Sequence, residues 1–303
     1  MILTVTPNPA LDLTYRLSAL EPGETHRAAP PAVRAGGKGL NVARVIAQTG
    51  AAAFVLTTAG GPSGVRLADD LEASRLPSEL VPVASPTRTS IALVDETAGE
   101  TTIVNETGGP LTAAEWTALA DAATRLALPA TAVVGSGSLP PDAPETFYAD
   151  LVAMAAARAV PCVIDAVGPA LLLAVAAGAD VVKPNRRELA DTTGHDDPVE
   201  GARVLLDAGA RLVLVSLGAE GMLAVPRTGE PLRARLPQPL TGNATGAGDA
   251  AVAAVATLLA TGTDDPAVLL RRATAWSAAA VLAPLAGELD PSYRDLEARL
   301  VTG

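Results

Sequence analysis

Short apolar runs rich in β-branched residues alternate along this chain with Ala-rich stretches of helical period, and that alternation limits the possible folds more than any other feature. The runs are Ile2 to Thr6, Phe54 to Thr58, Ala132 to Gly135, Cys162 to Asp165, Val181 to Lys183 and Leu212 to Ser216. The helical stretches lie near 39–48, 63–74, 113–127, 144–158, 169–177 and 199–208. A strand that is apolar along its whole length is buried on both faces, and strands joined through helices run parallel. The chain therefore reads as α/β, with a mostly parallel sheet covered by helices on both sides. Ligands of such sheets gather at the carboxyl ends of the strands.

Two regions break the pattern. Leu11 to Leu17 and Thr89 to Asn105, the latter interrupted by a turn at Asp95 to Gly99, alternate with period two and have no helix between them. They predict a small separate sheet that covers a site or mediates dimerisation. The Pro-rich Ala28 to Pro31 and the segment Arg227 to Pro239 read as connections or edge hairpins.

Composition narrows the function classes. A chain of 303 residues, 49% hydrophobic and 18% charged, is a soluble globular protein with ample core. The net charge of −11 argues against nucleic acid or an anionic membrane as partner. It leaves a small anionic substrate open, because such a ligand responds to the local field. Lys38 and Lys183 are the only lysines among 22 basic residues, and both stand inside motif-like stretches. A compact ammonium acting on phosphate is one use for a lysine kept in an arginine-rich chain. Cys162 is the only cysteine, which rules out a disulfide framework or thiolate metal cluster and suits a reduced cytoplasm. His26 and His195 do not suggest a zinc site. The N-terminus lacks a basic region before its apolar run and reads as no signal peptide, and no apolar run reaches the length of a membrane span.

The densest chemistry lies at Thr241 to Ala260, where a glycine-rich turn runs into a long apolar helix. Gly246, Ala247 and Gly248 are small enough to bring backbone amides close to an anion, and the helix adds its positive end. Asp249 stands on the first turn of that helix. A carboxylate beside a phosphate site suits a general base that takes a proton from a hydroxyl during phosphoryl transfer. Three simpler readings stay open at this stage. They are a dinucleotide fingerprint, weakened by the absence of a strong preceding strand, an N-cap turn, and a tight turn before a buried helix.

The other polar or glycine-rich clusters fall where strands end or where the small sheet begins. Asp12 in TPNPALD suits sugar hydroxyls or an ordinary turn. In RAGGKGLNVA, Gly36, Gly37 and Gly39 let backbone approach a ligand, while Lys38 and Asn41 add a cation and an amide. The spacing is not that of a Walker A loop, and a plain helix start is the alternative. Arg88 in TRTS can fork onto phosphate or be a surface arginine. Ser138 belongs to GSGSLP, a loop of small hydroxylated residues. In KPNRREL, Asn185 and Glu188 are spaced to hold Mg²⁺ through water near ATP phosphates, or to cap a helix. Ser216, Gly218 and Gly221 in SLGAEG let a nucleotide lie against backbone, or form a hairpin turn.

Taken in order, GGKG-L-N, GSLP, KPN-x-x-E, SLGAEG and GAGD resemble the motifs of the PfkB (ribokinase-like) carbohydrate kinase family across essentially the whole chain. The runs NPALDLT, GGKGLNVARV, TRT and TTIVNETG are most similar to the branch acting on phosphorylated ketohexoses, and within it to the enzymes specific for fructose 1-phosphate. Kinases of tagatose 6-phosphate and fructose 6-phosphate belong to the same branch and are the alternatives. The resemblance implies one Rossmann-like kinase domain over 1–303, with a small β lid formed from about 10–35 and 87–107 that often pairs two copies into a homodimer. It implies Asp249 as catalytic base and Gly246, Ala247 and Gly248 as anion hole. It implies Asp12, Gly37 and Asn41 on sugar hydroxyls, Lys38 and Arg88 on the existing phosphate, and Ser138 nearby. Lys183, Asn185, Ser216, Gly218 and Gly221 belong to the ATP site, with Glu188 on Mg²⁺ through water.

Three positions depart from the family pattern. Ala244 stands where a hydroxyl or valine is usual, Ala250 replaces a frequent serine, and Asp142 takes the place of a common glycine. A sugar-phosphate-binding protein without catalysis is the reading from a different class, and the presence of Asp249 with its whole loop weighs against it.

Overall fold

A computed structural model describes residues 1–303. The chain opens with β1 (Ile2–Thr6), β2 (Ala10–Leu17), β3 (Ala32–Gly36) and α1 (Lys38–Gln48). It continues through β4 (Ala53–Ala59), α2 (Gly61–Ala73), β5 (Ser78–Pro82), the hairpin β6 (Arg88–Asp95) and β7 (Glu100–Asn105), then α3 (Ala113–Leu126). Next come β8 (Ala132–Ser136), α4 (Phe147–Ala156), β9 (Cys162–Asp165), α5 (Gly168–Ala176), β10 (Val181–Val182), α6 (Arg186–Thr193) and α7 (Pro198–Ala208). The last third holds β11 (Leu212–Ser216), β12 (Met222–Pro226), β13 (Leu232–Arg235), α8 (Ala247–Leu259), α9 (Pro266–Val281), α10 (Tyr293–Ala298) and β14 (Val301–Thr302).

One large sheet has the order β14-β13-β12-β11-β10-β9-β8-β1-β4-β5. It is parallel from β11 to β5, and β12, β13 and β14 extend it in antiparallel fashion. The continuous apolar runs are explained by two cores, one on each face. Ile2, Val55, Val134, Val163 and Leu214 point into the layer shared with α1, α8 and α9. Their neighbours Leu3, Leu56, Val133, Ile164 and Val213 point into the opposite layer, with α3, α4, α5 and α7. A side-chain period of two, with both faces buried, leaves every residue apolar.

A second sheet has the order β3-β2-β6-β7. Residues of β6 are partly buried throughout and those of β7 exposed throughout, so neither strand runs apolar as those of the large sheet do. Two strands, one in each sheet, were not apparent in sequence. Strand β3 includes Arg34 to Gly36, which read as the start of a glycine-rich loop. In the large sheet, β5 (SELVP) carries Glu79 and Pro82 and is tolerated because it is the edge strand. The segment SLGAEG forms the turn between antiparallel β11 and β12, so its hairpin reading is correct.

Four of the ten α-helices start on a side-chain cap. Thr112 with Glu115 forms a capping box on α3, while Asp197 and Asp265, each followed by proline, cap α7 and α9. Helices α1 and α8 do not. They begin on Gly37 and Gly246 with no side-chain cap, and Gly246 sits at φ +85°, a left-handed conformation that favours glycine.

Candidate active site

The carboxyl ends of the parallel strands and the inner side of the small sheet enclose one cleft of about 1260 Å³. Lining it are Asp12, Gly37, Lys38, Asn41, Arg88, Ser138, Lys183, Asn185, Glu188, Ser216, Gly218, Gly221, Gly246, Ala247, Gly248 and Asp249, whereas Gly36 and Gly39 do not reach it and instead let backbone pack against Asp12 and Thr6. Two of the helix starts that lack a side-chain cap, those of α1 and α8, contribute to its wall. Each leaves first-turn amides for a ligand, and neither places a competing cap side chain over them.

Asp249 lies buried on the first turn of α8. Asn41, one turn into α1, donates from Nδ2 to Asp249 Oδ2 at 2.8 Å. Burial pushes the Asp249 carboxyl up to about 6, and the nearby Asp165 charge adds to the rise, while Lys38, the Asn41 hydrogen bond and Lys183 oppose it. The carboxylate is thus mostly ionised at neutral pH yet basic enough to hold a proton briefly, the property required of a general base.

Beside it stands an ionic cluster that the sequence only half revealed. Lys38 Nζ is 3.2 Å from Asp165 Oδ1 and 3.5 Å from Glu188 Oε1. Lys183 Nζ is 3.9 Å from the same Asp165 oxygen. It also faces the glycine loop, since a Cβ on Gly248 would stand 3.1 Å from Lys183 Nζ. Burial works against the charges of both Lys38 and Asp165, but the ion pairs outweigh it: Lys38 is pushed above the usual lysine range and Asp165 is held below the usual carboxylate range. Asp165 was not singled out in the sequence, where it closes the apolar run CVID and looks like a strand end. Its partner follows from register: β10 lies beside β9, with Val182 opposite Ile164, so Lys183 comes next to Asp165. The sequence also grouped Lys38 with Arg88, whereas its ammonium meets Asp165 and Glu188 instead.

Asn185 and Glu188 form a capping box on α6. Asn185 Oδ1 accepts from the Glu188 amide at 2.8 Å, and Glu188 Oε2 accepts from the Asn185 amide at 2.9 Å. The cap holds both side chains at the edge of the cleft and leaves Glu188 Oε1 facing Lys38. No group of three or more His, Cys, Asp or Glu side chains is clustered to cage a metal ion. What is present is Glu188 Oε1 and an Asp165 Oδ2 that is buried without a hydrogen-bond partner. This set fits a magnesium ion that takes most of its ligands from phosphate and water.

The cleft has two ends. Beyond Ser216, Gly218 and Gly221 its wall is apolar, with Met222, Leu236, Leu240, Ala278 and Val281. At the opposite end the small sheet supplies Asp12 and Arg88. Burial pushes the Asp12 carboxyl up to about 6; Arg88 pulls it down and Asp249 pushes it further up. Arg88 donates from Nε to the Asn8 carbonyl oxygen at 3.3 Å and from Nη1 to the Glu106 carbonyl oxygen at 3.2 Å. Asn8 also donates from Nδ2 to Ser138 Oγ at 3.2 Å. Asn8 is a second residue that sequence reading passed over, in favour of Asp12 in the same motif.

An α/β sheet with a sugar-sized polar end, an apolar end and a buried carboxylate between two lysines has the form of a small-molecule kinase. The chain matches the model of the pfkB family carbohydrate kinases over residues 5–292 and belongs to that family. It is 38% identical over 312 residues to the 1-phosphofructokinase of Xanthomonas campestris, covering 99% of this chain and 98% of that protein. It is 34% identical over 296 residues to the 1-phosphofructokinase of Rhodobacter capsulatus, covering 96% and 92%. Among solved structures, phosphofructokinase-2 from Escherichia coli in complex with fructose-6-phosphate superposes with a TM-score of 0.88 at 30% identity, over 98% of each chain.

Proposed function

We propose that this protein is a 1-phosphofructokinase: it transfers the γ-phosphoryl group of ATP to the free primary hydroxyl of fructose 1-phosphate, giving fructose 1,6-bisphosphate and ADP. The observation that carries the reading is Asp249, a buried carboxylate raised to about 6, held by Asn41 and set at the uncapped start of α8 within the field of Lys38 and Lys183. The choice of sugar is supported by the two bacterial 1-phosphofructokinases that the chain matches over nearly its full length.

In this reading Asp249 accepts the hydroxyl proton as that oxygen attacks the γ-phosphorus in line, and Asn41 keeps the carboxylate aimed. The amides of Gly246, Ala247 and Gly248 and the ammonium of Lys183 face the phosphoryl group in flight. We assign Lys38 to the same group rather than to the acceptor's own phosphate, because its ammonium meets Asp165 and Glu188. Arg88 and Ser138 take the acceptor's phosphate, and Asp12 and the Gly37 amide take its hydroxyls. The nucleotide base lies in the apolar end against Ser216, Gly218 and Gly221. Magnesium, held by Glu188 and Asp165 through phosphate and water, supplies neutralisation of phosphate charge.

The small sheet acts as a lid over the single kinase domain and excludes water that would otherwise compete as acceptor. Its edge strand β7 is exposed along its whole length, with Ile103 turned to the cleft and Val104, 55% exposed, on the other face, an edge suited to pairing two copies as a homodimer. No helix is long and apolar enough to cross a membrane. The single thiol, Cys162, is buried and pushed up by that burial, which suits a cytoplasmic protein.

The test is Mg·ATP-dependent ADP release with fructose 1-phosphate, fructose 6-phosphate, tagatose 6-phosphate and free fructose side by side. The reading predicts the highest kcat/KM for fructose 1-phosphate. Preference for a 6-phosphate would overturn the choice of sugar but not the base, and no turnover on any of the four would overturn the reaction.

A further inference from the structure

Asn8 stands where the core and the lid meet, and it touches more of that junction than any residue the motifs singled out. It lies in the short connection from β1 of the large sheet to β2 of the lid. It is 7% exposed, so a polar side chain is almost wholly removed from water. Its Nδ2 uses both hydrogens, one to the Thr107 carbonyl oxygen at 3.0 Å and one to Ser138 Oγ at 3.2 Å. Its backbone oxygen accepts from Arg88 Nε at 3.3 Å. Thr107 follows the last lid strand, Arg88 begins another, and Ser138 belongs to the loop after β8 of the core. The side-chain amide thus ties the end of the last lid strand to one core loop, while the backbone oxygen of the same residue holds Arg88.

The packing around Asn8 is built for the amide. Gly108 adopts φ +85° directly over it, and a Cβ there would stand 2.5 Å from Asn8 Oδ1 and 3.5 Å from Arg88 Cδ. Any other residue at 108 would push the return of the lid away from Asn8. Ser138 and Arg88 are thus linked through one chain of contacts: the Asn8 side chain joins Ser138 to Thr107, and Arg88 is held by the carbonyl oxygens of Asn8 and of Glu106, the neighbour of Thr107.

We infer that Asn8 is a positioning residue that sets the separation between Arg88 on the lid and Ser138 on the core, and so selects an acceptor that carries its own phosphate. This rests on the reading, given above, that Arg88 and Ser138 hold that phosphate. Asn8 does not touch the reacting atoms. Its loss lowers affinity at one end of the cleft and leaves the chemistry between Lys183 and Asp249 in place.

Asn8→Ala removes both donors, and Gly108→Ala displaces the amide by adding a methyl instead. Each variant is predicted to raise KM for fructose 1-phosphate about tenfold or more, while kcat and KM for Mg·ATP change by less than about threefold. Asn8→Ser, which retains one donor, is predicted to fall between wild type and Asn8→Ala. Because Asn8 acts through Ser138, the effects of Asn8→Ala and Ser138→Ala are predicted to combine to less than their product. Calorimetric titration of the same proteins with fructose 1-phosphate and with free fructose reads binding apart from turnover. The loss is predicted for the phosphorylated sugar and not for the free one. Equal weakening of both sugars, an equal rise in KM for ATP, or a fall in kcat at unchanged KM would overturn the inference. If the wild-type enzyme proves to prefer a ketose 6-phosphate, the choice of sugar fails by itself, and the same comparison made with that sugar still decides the role of Asn8.

Discussion

The two ends of the cleft are built differently. The phosphoryl-transfer end rests on the doubly covered sheet, where Asp165, Lys183 and Asp249 are 1%, 4% and 6% exposed; Asp165 and Lys183 answer each other's charge, and Asn41 holds Asp249. The acceptor end is half lid: Asp12 is partly exposed, and Arg88 is held by backbone carbonyl oxygens rather than by a carboxylate in contact. The difference teaches how this chain divides its labour. Groups that must not move during chemistry are fixed inside the core by ion pairs and by the Asn41 hydrogen bond, and groups that must admit a sugar hang from a lid attached at a few points. Substitutions at the first end are therefore expected in kcat and stability, and those at the second in KM.

The largest expected effect is Asp249→Asn, which removes the base but keeps the shape and a partner for Asn41. It should lower kcat by about 10²–10⁴-fold with KM for both substrates nearly kept. A variant that loses affinity for the sugar phosphate instead would erase the distinction between the ends. Next is Asp165→Ala. It strips the shared counter-charge from two lysines, one of them buried, and should lower the free energy of unfolding in urea by roughly 3 kcal/mol or more. A neutral result would show that the core end is not held by its charges.

The same Asp249→Asn change should raise stability. The folded carboxyl is raised to about 6 from 3.8, so the folded state binds the proton more tightly and the ionised form costs stability. That cost is absent below about pH 4 and fully present above about pH 6. The variant is thus expected to gain about 1–3 kcal/mol over wild type at pH 8 and little at pH 4, measured by urea unfolding at both. The smallest effect belongs to the acceptor end: Arg88→Ala should raise KM for fructose 1-phosphate by about tenfold, roughly 1.4 kcal/mol, with KM for ATP unchanged. A comparable loss in kcat would mean that the lid takes part in chemistry.

Part of this site is legible in the sequence because Lys183 to Glu188 follows a run apolar enough to be a buried strand, and the fold gathers such strand ends at one edge. Gly37 to Asn41 and Gly246 to Asp249 stand out differently, as glycine-rich turns that open apolar helices. Asn8 and Asp165 do not stand out, for a physical reason. A lone Asn in a Pro-rich turn and a lone Asp closing an apolar run look like ordinary chain punctuation, and their partners lie 130, 127 and 18 residues away, at Ser138, Lys38 and Lys183. Those pairings depend on strand order and register, which a local pattern does not encode. Strand β5 escaped notice because an edge tolerates Glu79 and Pro82, and the partnership of Lys38 because a lysine's reach is set by the helix it starts.

The most direct test of the account is the single-turnover rate of phosphoryl transfer against pH, with fructose 1-phosphate and Mg·ATP both saturating, for wild type and Asp249→Asn. The account predicts that the wild-type rate falls with unit slope below about pH 6, as the base becomes protonated, and that Asp249→Asn is at least about a hundredfold slower with that limb absent. A variant that keeps more than about a tenth of the rate, or shows the same acid limb as wild type, would contradict it.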